Sequence, residues 1–393
     1  MALLTGIRVL DFGRFIAGPY CAALLGDLGA DVIRIERVQG GEDRGLPPVA
    51  DTGDGGLFLQ MNRNKRGLTL DVAHEAGRRI VRQLVAGADV VVANLPPATL
   101  RQLGLDYATL EALNPRIVLA CASAFGPGGP YSDRPGFDSV GQAMCGAVYL
   151  SGQPEAPVRT AAPYVDVSTA QALAMGTLVA LWAREKSGRG QRVEGSLLRS
   201  ALVIGNAALI EQAITAPHRV PQGNRGFTSA PSDVVRTADG WLLVHCIGDA
   251  MFARFCELIG EPQLPHDARF AGDAARARHG EHISALLAAW ARQRPRAQAL
   301  DELAAARIPA APVLSPQQAL DDAHIRAAGL LVPRPVNGSA QTVPIAPHPV
   351  QMSLDEPVFA RSAPSLGQHT EAILAELGYD AAAIAALRAQ RVV

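Results

Sequence analysis

The stretch Gly6–Glu36, GIRVLDFGRFIAGPYCAALLGDLGADVIRIE, decides the fold. Ile7–Phe12 is a short β-rich run, and Asp31–Glu36 is a second. Between them, Gly18–Leu28 spaces its apolar residues as a helix does. Strand, helix and strand in that order make a βαβ unit, whose strands run parallel. Asp11 ends the first strand and Glu36 the second, about as far apart as the matching residues of a dinucleotide-binding unit. The connecting loop Gly13–Pro19 is nevertheless not G-x-G-x-x-G. Its glycines are wrongly spaced for a pyrophosphate turn, and Pro19 has no backbone N–H. A doubly wound fold is supported; a nicotinamide dinucleotide is not.

Working outward, the alternation continues. Ala76–Ala86 is an amphipathic helix, Asp89–Asn94 a strand, Leu100–Leu113 helical and Arg116–Ser123 a strand. A long helix is expected over Ser168–Lys186, ending at the turn Ser187-Gly188-Arg189-Gly190. Then the character changes. Asp239-Gly240 between the apolar runs of VVRTADGWLLVHCI signals a hairpin, hence antiparallel pairing and a second domain. The expected organisation is an α/β fold: a large domain of Rossmann-like parallel sheet from residues 1–190 plus 330–393, and a small α+β domain over 223–313. Residues 191–222, which hold a long apolar helix before APHRVPQGN, and 314–329 read as linkers. Segment 330–393 ends in two helices, near Thr370–Leu377 and Ala381–Arg391.

Composition narrows the function. Hydrophobic residues are 48 % and charged ones 19 %, with net charge -1. That is core-forming, and it carries no basic field for nucleic acid or an anionic membrane. Lysine occurs only at Lys65 and Lys186. The five cysteines are scattered with no C-x-x-C pair, which argues against a disulfide framework or structural zinc and fits a reduced cytoplasm. No histidine grouping suggests a metal site, no uninterrupted apolar run suits a membrane span, and H-E-x-x-H, G-x-S-x-G and Walker A are absent.

Three segments are candidates for chemistry, each with a plain alternative. Met61–Gly67 (MNRNKRG) gathers three cations beside two amides, as phosphate ligands do, or is a solvated basic turn. Gly126–Tyr131 (GPGGPY) follows a strand end, where α/β sheets bind ligands, or is an ordinary loop. Asp166 sits just before the long helix; it is a helix cap, or a carboxylate kept ionised by the helix dipole and available as a nucleophile.

Taken together, these stretches resemble the class III CoA-transferases, a family that includes formyl-CoA transferase, carnitine CoA-transferase and α-methylacyl-CoA racemase. The likeness is carried by Gly6–Arg37, by NRNKRGLTLD from Asn62, by the segment Asn114–Asp138, by SGRGQRVEGSLL, by TADGWLLVH and by the end from Pro364. The resemblance implies two subunits interlocked like links of a chain, acyl-CoA and a small carboxylic acid as substrates, and no permanently bound cofactor. It places the catalytic aspartate at Asp166, which forms a mixed anhydride and then an aspartyl-CoA thioester. CoA contacts carry over to Phe15, Ile16 and Ala17, to Arg37, to Asn62 and Lys65, to Asn94 and Leu95, and to Arg134. Gln102 falls where relatives often carry arginine, so Arg101 beside it takes that contact. The racemase histidine falls at Phe137, whose phenyl ring cannot move a proton, which favours transfer over racemisation. No glycine-rich gating loop follows Gly223-Asn224-Arg225, which points away from oxalate and formate.

Overall fold

A computed structural model of the chain describes residues 3–393. It contains two compact units, one of residues 3–147, 159–216 and 329–393, the other of residues 148–158 and 217–328.

The first unit is built on six strands. They are β1 (Arg8–Asp11), β2 (Asp31–Glu36), β3 (Lys65–Thr69), β4 (Val90–Ala93), β5 (Val118–Ser123) and β6 (Arg192–Ser196). Their spatial order is β3-β2-β1-β4-β5-β6, and every pair is parallel. The order reverses between β1 and β4, the point at which such sheets open a crevice at their carboxyl ends. Successive residues on one strand point to opposite faces, so Val90 and Val92 join one core while Val91 and Ala93 join the other. Both faces are covered, which is why the central strands read as unbroken apolar runs.

Helix α1 (Ala17–Asp27) is buried along its whole length, so it is apolar nearly all round. It packs against β1 and against the long helix α4 (Tyr164–Ser187). On the other face lie Glu75–Ala86 and the helices Thr370–Glu376 and Ala381–Ala389.

Two boundaries differ from the sequence reading. The long helix spans Tyr164–Ser187, beginning four residues before the expected Ser168. Residues 192–196, read as part of a linker, are strand β6, and Leu197–Thr215 is a helix of the same unit. Strand β6 escapes a sequence reading because it is the sheet's edge. Its sequence RVEGS is only partly covered and lacks the apolar run of a central strand.

The second unit holds three antiparallel strands, β7 (Ser232–Arg236), β8 (Trp241–His245) and β9 (Ala310–Pro312), in the order β9-β8-β7. The expected hairpin turns at Asp239-Gly240, with Trp241 opposite Arg236. Phe252, Phe255, Phe270, Leu287 and Trp290 form its core with Leu242 and Val244. Residues 314–329, expected as a linker, carry the short helices Pro316–Asp321 and Ala323–Ala327, the first with a Ser315–Gln318 capping box.

Candidate active site

The crevice at the carboxyl ends of β1, β4 and β5 holds a cavity of about 210 Å3. Its floor is set by the loop after β1. Gly13 donates its N–H to Asp11 Oδ1 at 2.8 Å, and a Cβ there would lie 2.7–2.8 Å from Asp11 and Pro19, so only glycine fits. Asn94, at the end of β4, grips the same loop twice. Its Oδ1 accepts from Arg14 N–H and its Nδ2 donates to Arg14 carbonyl, both at 2.7 Å. Phe15 adopts a left-handed backbone (φ 59) and donates its N–H to Asp43 at 3.1 Å. Both Asp43 oxygens in turn accept from one amino group, Nη2, of the buried Arg34, at 3.0 Å.

Beneath the loop lies Lys65. Its ammonium, fully buried, donates to Asp11 at 2.6 Å, to Pro19 carbonyl at 2.8 Å and to Asn62 at 2.9 Å. Burial pulls its pKa down to about 8, while Asp11 opposes that. The expected phosphate cluster is therefore spent within the protein. Asn62 and Lys65 support the loop from below and border no cavity described here, Arg63 pairs with buried Asp27 at 2.6 Å, and Arg66 pairs with Asp31 and Glu376. Charges that must be buried need partners, and these found them in the fold.

Asp166 stands on the opposite wall, on the third residue of α4 (Tyr164–Ser187). It does not cap that helix. The capping group is Asp138, which opens helix α3 (Asp138–Met144) and accepts the N–H groups of Val165 at 2.8 Å and Asp166 at 3.0 Å. Gln142, one turn along α3, donates to the second Asp138 oxygen and accepts from Thr160 N–H at 3.1 Å. Two carboxylates thus meet at one helix start, with Asp166 only 8 % exposed. Burial first, and the Asp138 charge second, hold the Asp166 carboxyl up at about 7, against the pull of the Asp138 backbone N–H.

Of the residues expected from the sequence, Phe15, Ala17, Asn94, Leu95, Arg134 and Asp166 share this cavity. Ile16 is buried beside it as the N-cap of α1. Phe137 also lines it and packs edge-on to Phe15, ring centres 5.4 Å apart. Arg134 lies over the Tyr131 ring at 4.0 Å. Arg37 borders a second cavity, of about 480 Å3, which shares Arg14, Glu42, Leu95 and Pro96 with the first. Arg101 and Gln102 are exposed on the helix Pro97–Leu103 and border neither; that helix contributes Pro97 to the first cavity and Thr99 and Leu103 to the second. The sequence reading missed Arg14, Asp138 and Gln142. Only Arg14 had a local signal, a cation in the first βα loop.

The chain matches the model of CoA-transferase family III over residues 4–370. The chain belongs to CoA-transferase family III. This CoA-transferase is 33 % identical to the succinyl-CoA--L-malate CoA-transferase beta subunit of Chloroflexus aurantiacus, over 99 % of this chain and 98 % of that one. It is 31 % identical to the succinate--glutarate CoA-transferase of Agrobacterium fabrum, over 95 % of each. Among solved structures it is similar to a CAIB/BAIF family protein from Brucella suis, at TM-score 0.83 and 31 % identity, covering 95 % of this chain and 99 % of that one. CoA thioesters are the substrates of such transferases.

Proposed function

We propose that the transferase moves CoA between small carboxylic acids with Asp166 as nucleophile. The observation that carries this is the placement of a nearly buried carboxylate, its pKa held at about 7, on the wall of a cavity at the sheet's switch point. A carboxylate stripped of water and crowded by a like charge is a stronger nucleophile than a solvated one.

In the first step an Asp166 oxygen attacks the donor's thioester carbonyl, and the C–S bond breaks to release CoA thiolate and leave an acyl–aspartyl anhydride. The thiolate then attacks the aspartyl carbonyl of the anhydride. The donor acid leaves as its carboxylate, and Asp166 is left as a CoA thioester. The acceptor carboxylate attacks that thioester, expelling thiolate and forming a second anhydride. Thiolate attack on the acceptor's acyl carbon restores the Asp166 carboxylate. Each bond made replaces one broken, so thioester energy is kept provided water is excluded. Arg14 and Arg134, which line the same cavity, suit the anionic parts of the substrates, and the Arg14 guanidinium has an Nη1 that is buried without a hydrogen-bond partner. The relatives' names contain malate, succinate and glutarate, and dicarboxylates are accordingly our first choice of acid. Phe137, in contact with Phe15 at the cavity, offers no proton for racemisation.

Incubation with acyl-CoA and mass spectrometry of the proteolysed enzyme tests this. CoA attached through Asp166 is expected, and full transferase activity in Asp166→Ala would sink it.

We further propose an interlocked cytoplasmic homodimer. Helix α5 (Leu197–Thr215) and helix α4 have the length and mean hydropathy of bilayer spans. Helix α4, however, packs across the sheet and α1, with half of its apolar window buried. Val203 (75 %), Ile214 (76 %) and Trp182 (66 %) on these two helices are exposed apolar side chains of the kind that a second subunit covers. The five buried free cysteines suit a reducing compartment. Sedimentation velocity of the full chain at micromolar concentration distinguishes dimer from monomer.

A further inference from the structure

Phe15 is strained at a position that no helix cap explains. Its φ of 59 puts a bulky side chain in the left-handed region. Ala216, Arg307 and Arg391 share that sign, but each closes a helix, where a left-handed residue is the ordinary cap. Phe15 instead precedes helix α1, one residue before its N-cap, Ile16. Strain of this kind persists only where the surroundings fix it, and it collects at functional sites.

The fixing group is a buried ion pair. Asp43 Oδ2 accepts the Phe15 N–H at 3.1 Å, and both Asp43 oxygens accept from Arg34 Nη2 at 3.0 Å. Arg34 Nη1 donates to Asn62 Oδ1 at 3.0 Å and, at 3.4 Å, to the carbonyl of Gly13 in the same loop as Phe15. The two side chains are 1 % and 2 % exposed, and neither lines either cavity of the site. A Cβ on Gly41 would strike the Asp43 carboxylate, so the chain leaves room for the pair. A buried ion pair gives a fold little net stability, which leaves this geometry to be explained by what it holds.

What it holds is the Phe15 ring, in the cavity that Asp166 lines. There the ring meets Phe137 edge-on at 5.4 Å. Phe137 immediately precedes Asp138, whose carboxylate accepts the Asp166 N–H at 3.0 Å. The ring pair is thereby tied to the residue that caps the nucleophile's helix.

We propose that Arg34 and Asp43 are positioning residues of the transfer: through the Phe15 amide they hold the Phe15–Phe137 ring pair as an apolar screen that keeps water from the Asp166 intermediates. This rests on the reading of Asp166 as nucleophile. The reaction to be prevented is attack of a water oxygen on the acyl carbon of the anhydride. The C–O bond to Asp166 breaks, and the donor acid and the Asp166 carboxylate are released. One water proton goes to the CoA thiolate and the other to solvent, so the thioester is lost as acid and free thiol.

The test compares hydrolysis with transfer in the full-length enzyme, using succinyl-CoA and glutarate, the acids in one relative's name. Glutaryl-CoA formation reports transfer. Free thiol from succinyl-CoA alone, above the enzyme-free rate, reports hydrolysis. Asp43→Ala releases the Phe15 N–H. Arg34→Met combined with Asp43→Ala releases it without stranding a buried charge, which keeps the test open where the single variant fails to fold. In either, the ratio of hydrolysis to transfer should rise about tenfold or more, the scale of misplacing a group at a reacting centre. Phe15→Gly lacks the ring, accepts the left-handed backbone and should show the same rise. Adding the Arg34→Met, Asp43→Ala pair to Phe15→Gly should change the ratio by no more than about twofold, because both act through one ring. An unchanged ratio in the Arg34→Met, Asp43→Ala variant overturns the proposal, even where both rates fall together, as a purely structural loss would make them do. A rise there without one in Phe15→Gly also overturns it, since the pair then acts on something other than the ring. Adding Asp166→Asn should abolish the extra hydrolysis; hydrolysis that survives it overturns the Asp166 reading as well.

Discussion

Replacing Asp166 with asparagine should abolish turnover and, at the same time, make the protein more stable at alkaline pH. The free carboxyl titrates at 3.8, whereas in the fold it is held up at about 7, first by burial and then by the Asp138 charge. The unfolded chain therefore ionises first as pH rises. From about pH 4 to about pH 7 the folded state keeps a proton that the unfolded state has lost, and stability falls across that window. Below it the stability from the neutral carboxyl is fully present; above it that contribution is gone. At ~1.4 kcal/mol per pH unit the full difference is ~4 kcal/mol, and relaxation around the charge lowers it to ~2–4 kcal/mol. Asparagine keeps the shape and an acceptor oxygen but never ionises. The variant should match wild type near pH 4 and exceed it most at pH 8. At ~2 °C per kcal/mol, melting there should rise by ~4–8 °C. Thermal melts of both proteins at several values between pH 4.5 and 8.5 provide the measurement. A melting difference that does not change with pH, or a variant less stable at pH 8, would refute the idea that burial and Asp138 strain the ionised Asp166.

Other consequences follow from the same contacts. Asp138→Asn keeps an oxygen to cap α4 but removes the like charge, so the acidic limb of kcat/KM against pH should move lower than in wild type. Asp138→Ala also removes the cap and should cost about 1–2 kcal/mol in denaturant unfolding. Lys65→Met strands the Asp11 carboxylate in the core and should destabilise by about 3–5 kcal/mol, with much of the loss recovered when Asp11→Asn is added. Val203→Glu should leave the fold intact by circular dichroism and shift sedimentation toward monomer; an unchanged dimer would place the subunit contact elsewhere.

The fold was largely legible because its strongest signals are local. Val90–Ala93 and Val118–Ser123 are apolar on both faces, which identifies central parallel strands in any context. Strand β6 was not legible, since an edge strand with one neighbour needs no apolar run and RVEGS has none. Charged residues were legible only by type. Lys65 in NRNKRG has the composition of a phosphate loop, yet its ammonium is buried against Asp11, a carboxylate 54 positions earlier. No spacing rule connects those two positions, because the parallel register of β1, β2 and β3 is what sets them together.

For Asp166 the division is sharpest. Local sequence offered a carboxylate at a helix start, where capping was the simplest role; only resemblance to a family raised it to a nucleophile. The tertiary structure decided that Asp138, 28 positions earlier, does the capping, and that this frees Asp166 to face the cavity. The sequence alone determined the layers of the fold and the residue types on offer, because periodicity and turn chemistry act over a few residues. Which carboxylate caps the helix and which is left facing the cavity depended on burial and on partners brought together by the sheet, and those are properties of the folded chain.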